Sequence, residues 1–195
     1  LGGSELDAVE KAAIDYAVAA GVIIVASAGN EGEAGMGYPG AYAPVISVGA
    51  CGWTGEWTSA SWWWANNVAD PTDIADYYIT DFSARAKSGQ DLDVVAPGSW
   101  TVGPYQVNSG QTSYYYLGGT SMASPHVAGI VALMAQKAPT LTAPQAESIL
   151  EDSAIPMAPG SMTVNSPSGS ATFSWEADAT GSGLATADAA LTATP

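Results

Sequence analysis

Residues 118–129 read Gly118-Gly119-Thr120-Ser121-Met122-Ala123-Ser124-Pro125-His126-Val127-Ala128-Gly129, and the interpretation of the whole chain turns on them. Small residues here allow a tight backbone approach into a helix, and helical apolar spacing continues from Ser121 to Lys137. Val127, Ile130, Val131, Leu133 and Met134 cover most of the circumference, which predicts a buried rather than amphipathic helix. The first turn sets the Ser121 hydroxyl beside unpaired backbone N–H groups at the positive end of the helix dipole. Such surroundings suit a nucleophile whose product is an oxyanion. The plainer alternative is that Ser121 only caps the helix.

Outward from this stretch, helices and buried strands alternate. The apolar run 22–26 (Val-Ile-Ile-Val-Ala) has no period-two pattern, as expected of a strand covered on both faces in a parallel sheet. It leads into the loop Ser27-Ala28-Gly29-Asn30-Glu31-Gly32. Residues 45–48 and 92–96 are further strands, the second closed by Pro97-Gly98. Ser4, with Asp7 three residues on, reads as the cap of a helix bearing Leu6, Val9, Ala13 and Ala17 and stopping at Gly21. Thr142, Pro144 and Gln145 open another helix to about Asp152, and a short Ala-rich helix is expected over 184–192. The pattern predicts an α/β layer fold with a mainly parallel sheet. An exposed, Ser/Gly/Thr/Pro-rich meander is expected over 158–183.

Composition narrows the function. The 195 residues make about one domain with its own core. Four Lys+Arg against nineteen Asp+Glu give −15, which excludes a nucleic-acid backbone as the main partner. A 47% hydrophobic content argues against disorder, and only 12% of residues are charged, a balance that resembles extracellular proteins. The single Cys51 forms no intrachain disulfide, and no run approaches the roughly eighteen apolar residues of a membrane span. The chain starts at Leu1 with no signal-peptide pattern, so preceding sequence is expected to have been removed.

Residues 118–129 closely resemble the signature around the nucleophilic serine of the subtilisin-like serine proteases, the subtilases. Leu1-Gly2-Gly3, residues 25–32, Tyr38-Pro39-Gly40-Ala41-Tyr42, residues 45–50, Asp81-Phe82-Ser83, residues 94–98 and Gly181-Ser182-Gly183-Leu184 continue the match in order and spacing. The resemblance implies a three-layer subtilisin-like fold, present as the C-terminal portion of the catalytic domain over 1–195, with a Trp-rich insertion at about 52–80. It implies that Ser121 is the nucleophile and that the Asn30 amide, with the Ser121 N–H, forms the oxyanion hole. The sedolisins, which share a Gly-Thr-Ser segment, use an acidic residue where this chain has Asn30. On its residues alone, Asn30 after Gly29 also reads as a left-handed turn.

The only histidine, His126, lies five residues beyond Ser121 and about 140° around the helix from it, so a structural, core hydrogen-bonding role is expected. In the family the catalytic residues run Asp, His, Ser along the chain, which places both missing members upstream of Leu1. A second polypeptide, the N-terminal part of the same precursor, is therefore expected to complete the sheet and supply Asp and His. By the resemblance, Leu1, Gly2, Gly3, Ala28, Gly29, Glu31 and Gly32 line the primary substrate pocket, open to large apolar or aromatic side chains, with Glu31 able to tolerate a basic one. Protein or peptide substrates follow, in a secreted or cell-surface setting. Catalysis needs no cofactor, although family members often bind calcium for stability; the residues identify no metal ligands, and Asp70, Asp73, Asp76 and Asp81 read as a solvated loop or a cation site.

Trp53, Trp57, Trp62, Trp63 and Trp64 crowd residues 53–64. An interface, with a partner or with a second copy as a homo-oligomer, is the preferred reading, before a carbohydrate platform, an aromatic lid or a satellite core. The alternative to an enzyme is a catalytically inactive subtilase-derived structural or binding module of an extracellular assembly.

Overall fold

The computed structural model describes residues 2–57, 70, 72–105, 108–110 and 113–195. One strand organises the sheet. β2 (Ile46–Trp53) pairs in parallel with β1 (Val25–Ser27) along Ile46–Val48 and with β4 (Val94–Pro97) along Val48–Cys51. Its end pairs antiparallel with β3 (Tyr77–Ile79). The period-two geometry of a strand sorts its side chains. Ile46, Val48 and Ala50, with Val94 and Ala96 of β4, face one cluster; Cys51 and Val95 face the other.

The first cluster is closed by helices. Ala123, Val127, Ile130, Val131 and Met134 of α2 (Thr120–Lys137) lie on those strands, joined by Ala146 and Leu150 of α3 (Ala143–Ser153) and Ala190 of α4 (Ala187–Ala193). At the start of α3 the Gln145 amide oxygen accepts the Thr142 N–H at 3.0 Å, the expected reciprocal cap. The second cluster is covered by a hairpin of β7 (Gly160–Ser166) and β8 (Gly169–Trp175), which contributes Val164 and Trp175. A smaller hairpin, β5 (Thr101–Tyr105) with β6 (Ser113–Leu117), leads into α2. Among the described residues no helix is long and apolar enough to cross a membrane.

Several expectations change. α1 (Ala8–Ala19) is capped by Asp7 rather than Ser4, because the Asp7 carboxylate reaches the N–H groups of Val9 and Glu10 at 2.8 and 3.3 Å. Its apolar stripe is unburied: only Ile14 is enclosed, while Val9 is 77% exposed. The run 22–26 is half-buried or exposed, not covered on both faces. α2 is one-sided, with Pro125, His126, Ala128, Gly129, Ala132 and Leu133 all exposed. His126 is thus outside the core, its Nδ1 2.8 Å from the Met122 carbonyl. The last three changes share a physical reason: the described residues pack against α2 and β1 from one side only.

Residues 160–175 form an ordered ladder, with Thr163 and Thr172 hydroxyls 2.9 Å apart across it. The two arms of the Trp-rich excursion return to the sheet, Trp53 opposite Tyr77. Trp62, Trp63 and Trp64 lie outside the described residues.

Met134 is wholly buried and Leu133 is 44% exposed one position away. Met134→Ala should therefore cost about 2–5 kcal/mol in urea unfolding and Leu133→Ala less than about 0.5 kcal/mol. Cys51 is fully enclosed and burial pushes its thiol up to about 12, so a disulfide reagent should label it only after denaturation.

Candidate functional site

β1 delivers the loop that carries Asn30. Ala28 is wholly buried, its N–H bonded to the Val48 carbonyl at 2.9 Å and its carbonyl to the Gly37 N–H at 2.8 Å. Gly29 then turns the chain at φ 114°, where a Cβ would lie 3.2 Å from the Gly37 nitrogen. Asn30 emerges at the surface. From the other direction, the Gly119 N–H donates to the Gly98 carbonyl at 2.8 Å and brings the start of α2 against this loop. The approach is close enough that a Cβ on Gly98 would meet the Gly119 oxygen at 2.8 Å.

Thr120 joins the two. It has no exposure, and its N–H and hydroxyl donate to Asn30 Oδ1 at 2.9 and 3.0 Å. The same hydroxyl lies 3.1 Å from the Gly29 carbonyl and accepts the Gly29 N–H at 3.3 Å. An oxygen that accepts a backbone N–H fixes which way an amide is turned, so the Asn30 NH2 is directed away from Thr120 as a neutral donor. Ser121 follows on the solvent side of the first turn. Its N–H has no acceptor within the helix, and Pro125, four residues on, offers no N–H to its carbonyl.

Ser121 and Asn30 share a cavity of about 530 Å³ with Gly2, Gly3, Gly29 and Glu31. Gly3 lies in an extended segment that exchanges hydrogen bonds with Tyr38, at 2.9 and 2.8 Å. Glu31 turns its carboxylate back to accept the Asn30 N–H at 2.8 Å. Ala28 and Gly32 are buried behind this wall and do not line the cavity, and Leu1 lies outside the described residues. Three participants have roles that escape a reading of the sequence. Thr120 acts on a residue 90 positions away, and Met36 and Tyr38 form walls that no local pattern marks. The available signal was their place in the matching segments, Thr120 within 118–129 and Tyr38 within 38–42.

No imidazole faces Ser121, since the chain's single His is bonded to its own helix. The acid-rich segment caps turns: Asp70 accepts the Thr72 N–H and Asp73 the Ala75 N–H. Among the described residues no three His, Cys, Asp or Glu converge as a metal cage. Asp91, Asp93 and Glu147 line a cavity of about 110 Å³ with Gly40, Ala41, Ala43 and Val45. There burial, then repulsion from Asp93, Glu151 and Asp91, raises the Glu147 carboxyl to about 7.

Residues 2–188 match the subtilase family. Subtilisin DY of Bacillus licheniformis is 37% identical over 158 residues, 79% of this chain and 47% of that protein. Alkaline elastase YaB of a Bacillus strain is 36% identical over 154 residues, 79% of this chain and 33% of its own. Among solved structures, a protease of Pseudoalteromonas arctica superposes with a TM-score of 0.69 at 26% identity, over 100% of this chain and 50% of the other. Fervidolysin of Fervidobacterium pennivorans, a keratinolytic enzyme related to subtilisin, gives 0.65 at 30% identity, over 98% and 25%. The chain thus spans half or less of these relatives' lengths.

A carboxyl raised in the folded state binds its proton more tightly there, so stability is gained as pH falls through about 7 toward the ordinary glutamate value of about 4.3. The melting temperature should rise between about pH 8 and about pH 5.5, and Glu147→Gln should flatten that rise.

Proposed function

This chain belongs to the subtilase family, and we propose that it is the nucleophile-bearing part of a secreted or cell-surface serine endopeptidase. The observation that carries the proposal is the clamping of Asn30 Oδ1 by Thr120, which aims the Asn30 amide as an oxyanion donor beside the exposed Ser121 hydroxyl. Ser121 Oγ attacks the scissile carbonyl carbon and gives its proton to a histidine. The carbonyl oxygen, now negative, takes hydrogen bonds from the Asn30 NH2 and the Ser121 N–H. Collapse expels the amine with that proton and leaves an acyl-enzyme on Ser121; water repeats the sequence and releases the acid. None of these steps needs a cofactor.

The histidine and its orienting aspartate come, in this proposal, from the N-terminal part of the same precursor. Three unsatisfied surfaces support it: the half-buried run 22–26 at the β1 edge, the exposed apolar side of α2 and the unburied stripe of α1. Docking of one upstream segment would cover all three and bring the base to Ser121. Small residues at Gly2, Gly3 and Gly29 leave the cleft open to large apolar side chains, and Glu31 at its wall accommodates a basic one. The charge of −15 disfavours acidic substrates, an effect that salt weakens.

The absence of any second imidazole in the sequence favours one other reading, a binding module that retains the signature without turnover. An organophosphorus fluoride separates the two. Co-expressed with the N-terminal part, Ser121 should gain the phosphonyl mass, and Ser121→Ala should not. Folded complex that stays unlabelled establishes the non-enzymatic module instead. In the active complex Asn30→Ala should lower kcat about 10²- to 10³-fold with little change in KM, the scale known from subtilisin itself.

A further inference from the structure

A second cavity, of about 460 Å³, shares no lining residue with the Ser121 cleft and lies between Glu56, the β5–β6 hairpin and the β7–β8 hairpin. Its size is that of a ligand pocket. Five aromatic rings form one part of its wall. Trp57, Trp100 and Tyr116 meet at steep angles: 72° for Trp57–Trp100 at 5.3 Å, 53° for Trp100–Tyr116 at 5.1 Å and 84° for Trp57–Tyr116 at 6.4 Å. Tyr78 and Phe173, 4.5 Å apart, form a further wall. Rings so inclined present π faces in more than one direction, which suits a cation better than a flat stacking ligand.

A carboxylate sits among these rings. Glu56 Oε1 accepts the Tyr78 hydroxyl at 2.6 Å and the Ser99 hydroxyl at 3.1 Å, and the Trp57 side chain also donates to this carboxylate. These donors are all neutral. The chain's four basic side chains are engaged elsewhere: Lys11 with Asp15, Arg85 and Lys87 with Glu33, and Lys137 with the carbonyls of Leu191 and Thr194. The charge of Glu56 therefore meets no cation from this chain, and a half-buried carboxylate in that position gains most from a cation that a ligand brings. A net charge of −15 draws such ligands toward the surface.

We propose that this cavity binds the side chain of an arginine in a polypeptide, its guanidinium stacked on the aromatic wall and paired with Glu56. Arginine fits better than lysine because a planar guanidinium can stack and donate to a carboxylate at once. The polypeptide can be one held at Ser121. Tyr116 precedes Ser121 by five residues, so the two Cα atoms are at most about 17 Å apart, the reach of a short extended peptide.

Calorimetric titration of the Ser121→Ala protein tests this without turnover, using N-acetyl-arginine amide and its uncharged isostere N-acetyl-citrulline amide. The arginine compound should bind, with affinity falling as salt is raised, and the citrulline compound at least about tenfold more weakly. Glu56→Gln should erase that preference, whereas Glu31→Gln, in the Ser121 cleft, should leave it. Trp100→Ala, at a residue 45% exposed and so tolerant of replacement, should weaken binding even if Glu56→Gln fails to fold. Equal binding of the two compounds, no binding of either, or a preference that depends on Glu31 and not on Glu56 would overturn the proposal. None of these outcomes bears on labelling at Ser121, so the two proposals stand or fall separately.

Discussion

A buried threonine must find partners for both its N–H and its hydroxyl, and at Thr120 there is one place to find them. That place is Asn30 Oδ1, with the backbone of Gly29 beside it. Two segments 90 residues apart in the chain are thereby tied at one point, the exit of β1 and the entry of α2. The amide cannot turn without stranding a buried donor, so the direction of its NH2 is set by the core rather than by the surface. Ser121 inherits its position from the same bond, being the next residue on the helix. The sheet serves this arrangement. β2 holds β1 and β4 in parallel on its two sides, so that the loops after both strands, 28–32 and 98–100, lie at the same end.

Element types were legible where the local chemistry is decisive. The α3 cap, the glycines around Asn30 and the apolar start of β2 each announce themselves within a few residues. Burial was less so. The apolar circumference of α2 and the run 22–26 look more enclosed in the sequence than they are, because composition does not say which neighbours a face meets. The β7–β8 hairpin does carry a period-two pattern, with Met162 and Val164, then Ala171, Phe173 and Trp175, alternating with polar residues, but the Ser/Gly/Thr/Pro-rich composition of 158–183 masks it. At the site, Ser121 and Asn30 stand out through the family signature, while Thr120, whose role depends on long-range pairing, does not.

One acidic group lies where water is scarce. Asp93 is 4% exposed and is held by Ser47, whose N–H and hydroxyl both reach its carboxylate, at 2.6 and 2.7 Å. Burial pushes its carboxyl up, as it does that of Glu151. Like charges gathered on one flank oppose compaction there, and Ser47 offsets part of this by supplying donors from the neighbouring strand.

The bond from Gly119 to Gly98 has a further meaning when the segment it closes is considered as a unit. The segment 99–118 leaves and returns through a mouth pinned at 2.8 Å, and among its described residues none hydrogen-bonds to Thr120 or Asn30. A loop anchored in this way can be lengthened, shortened or exchanged at a cost that grows only with the logarithm of its length. Selection is thus free to rewrite this region, aromatic or polar, short or long, while the reactive hydroxyl keeps its place. The fold separates a part that must be inherited unchanged from one that can diversify.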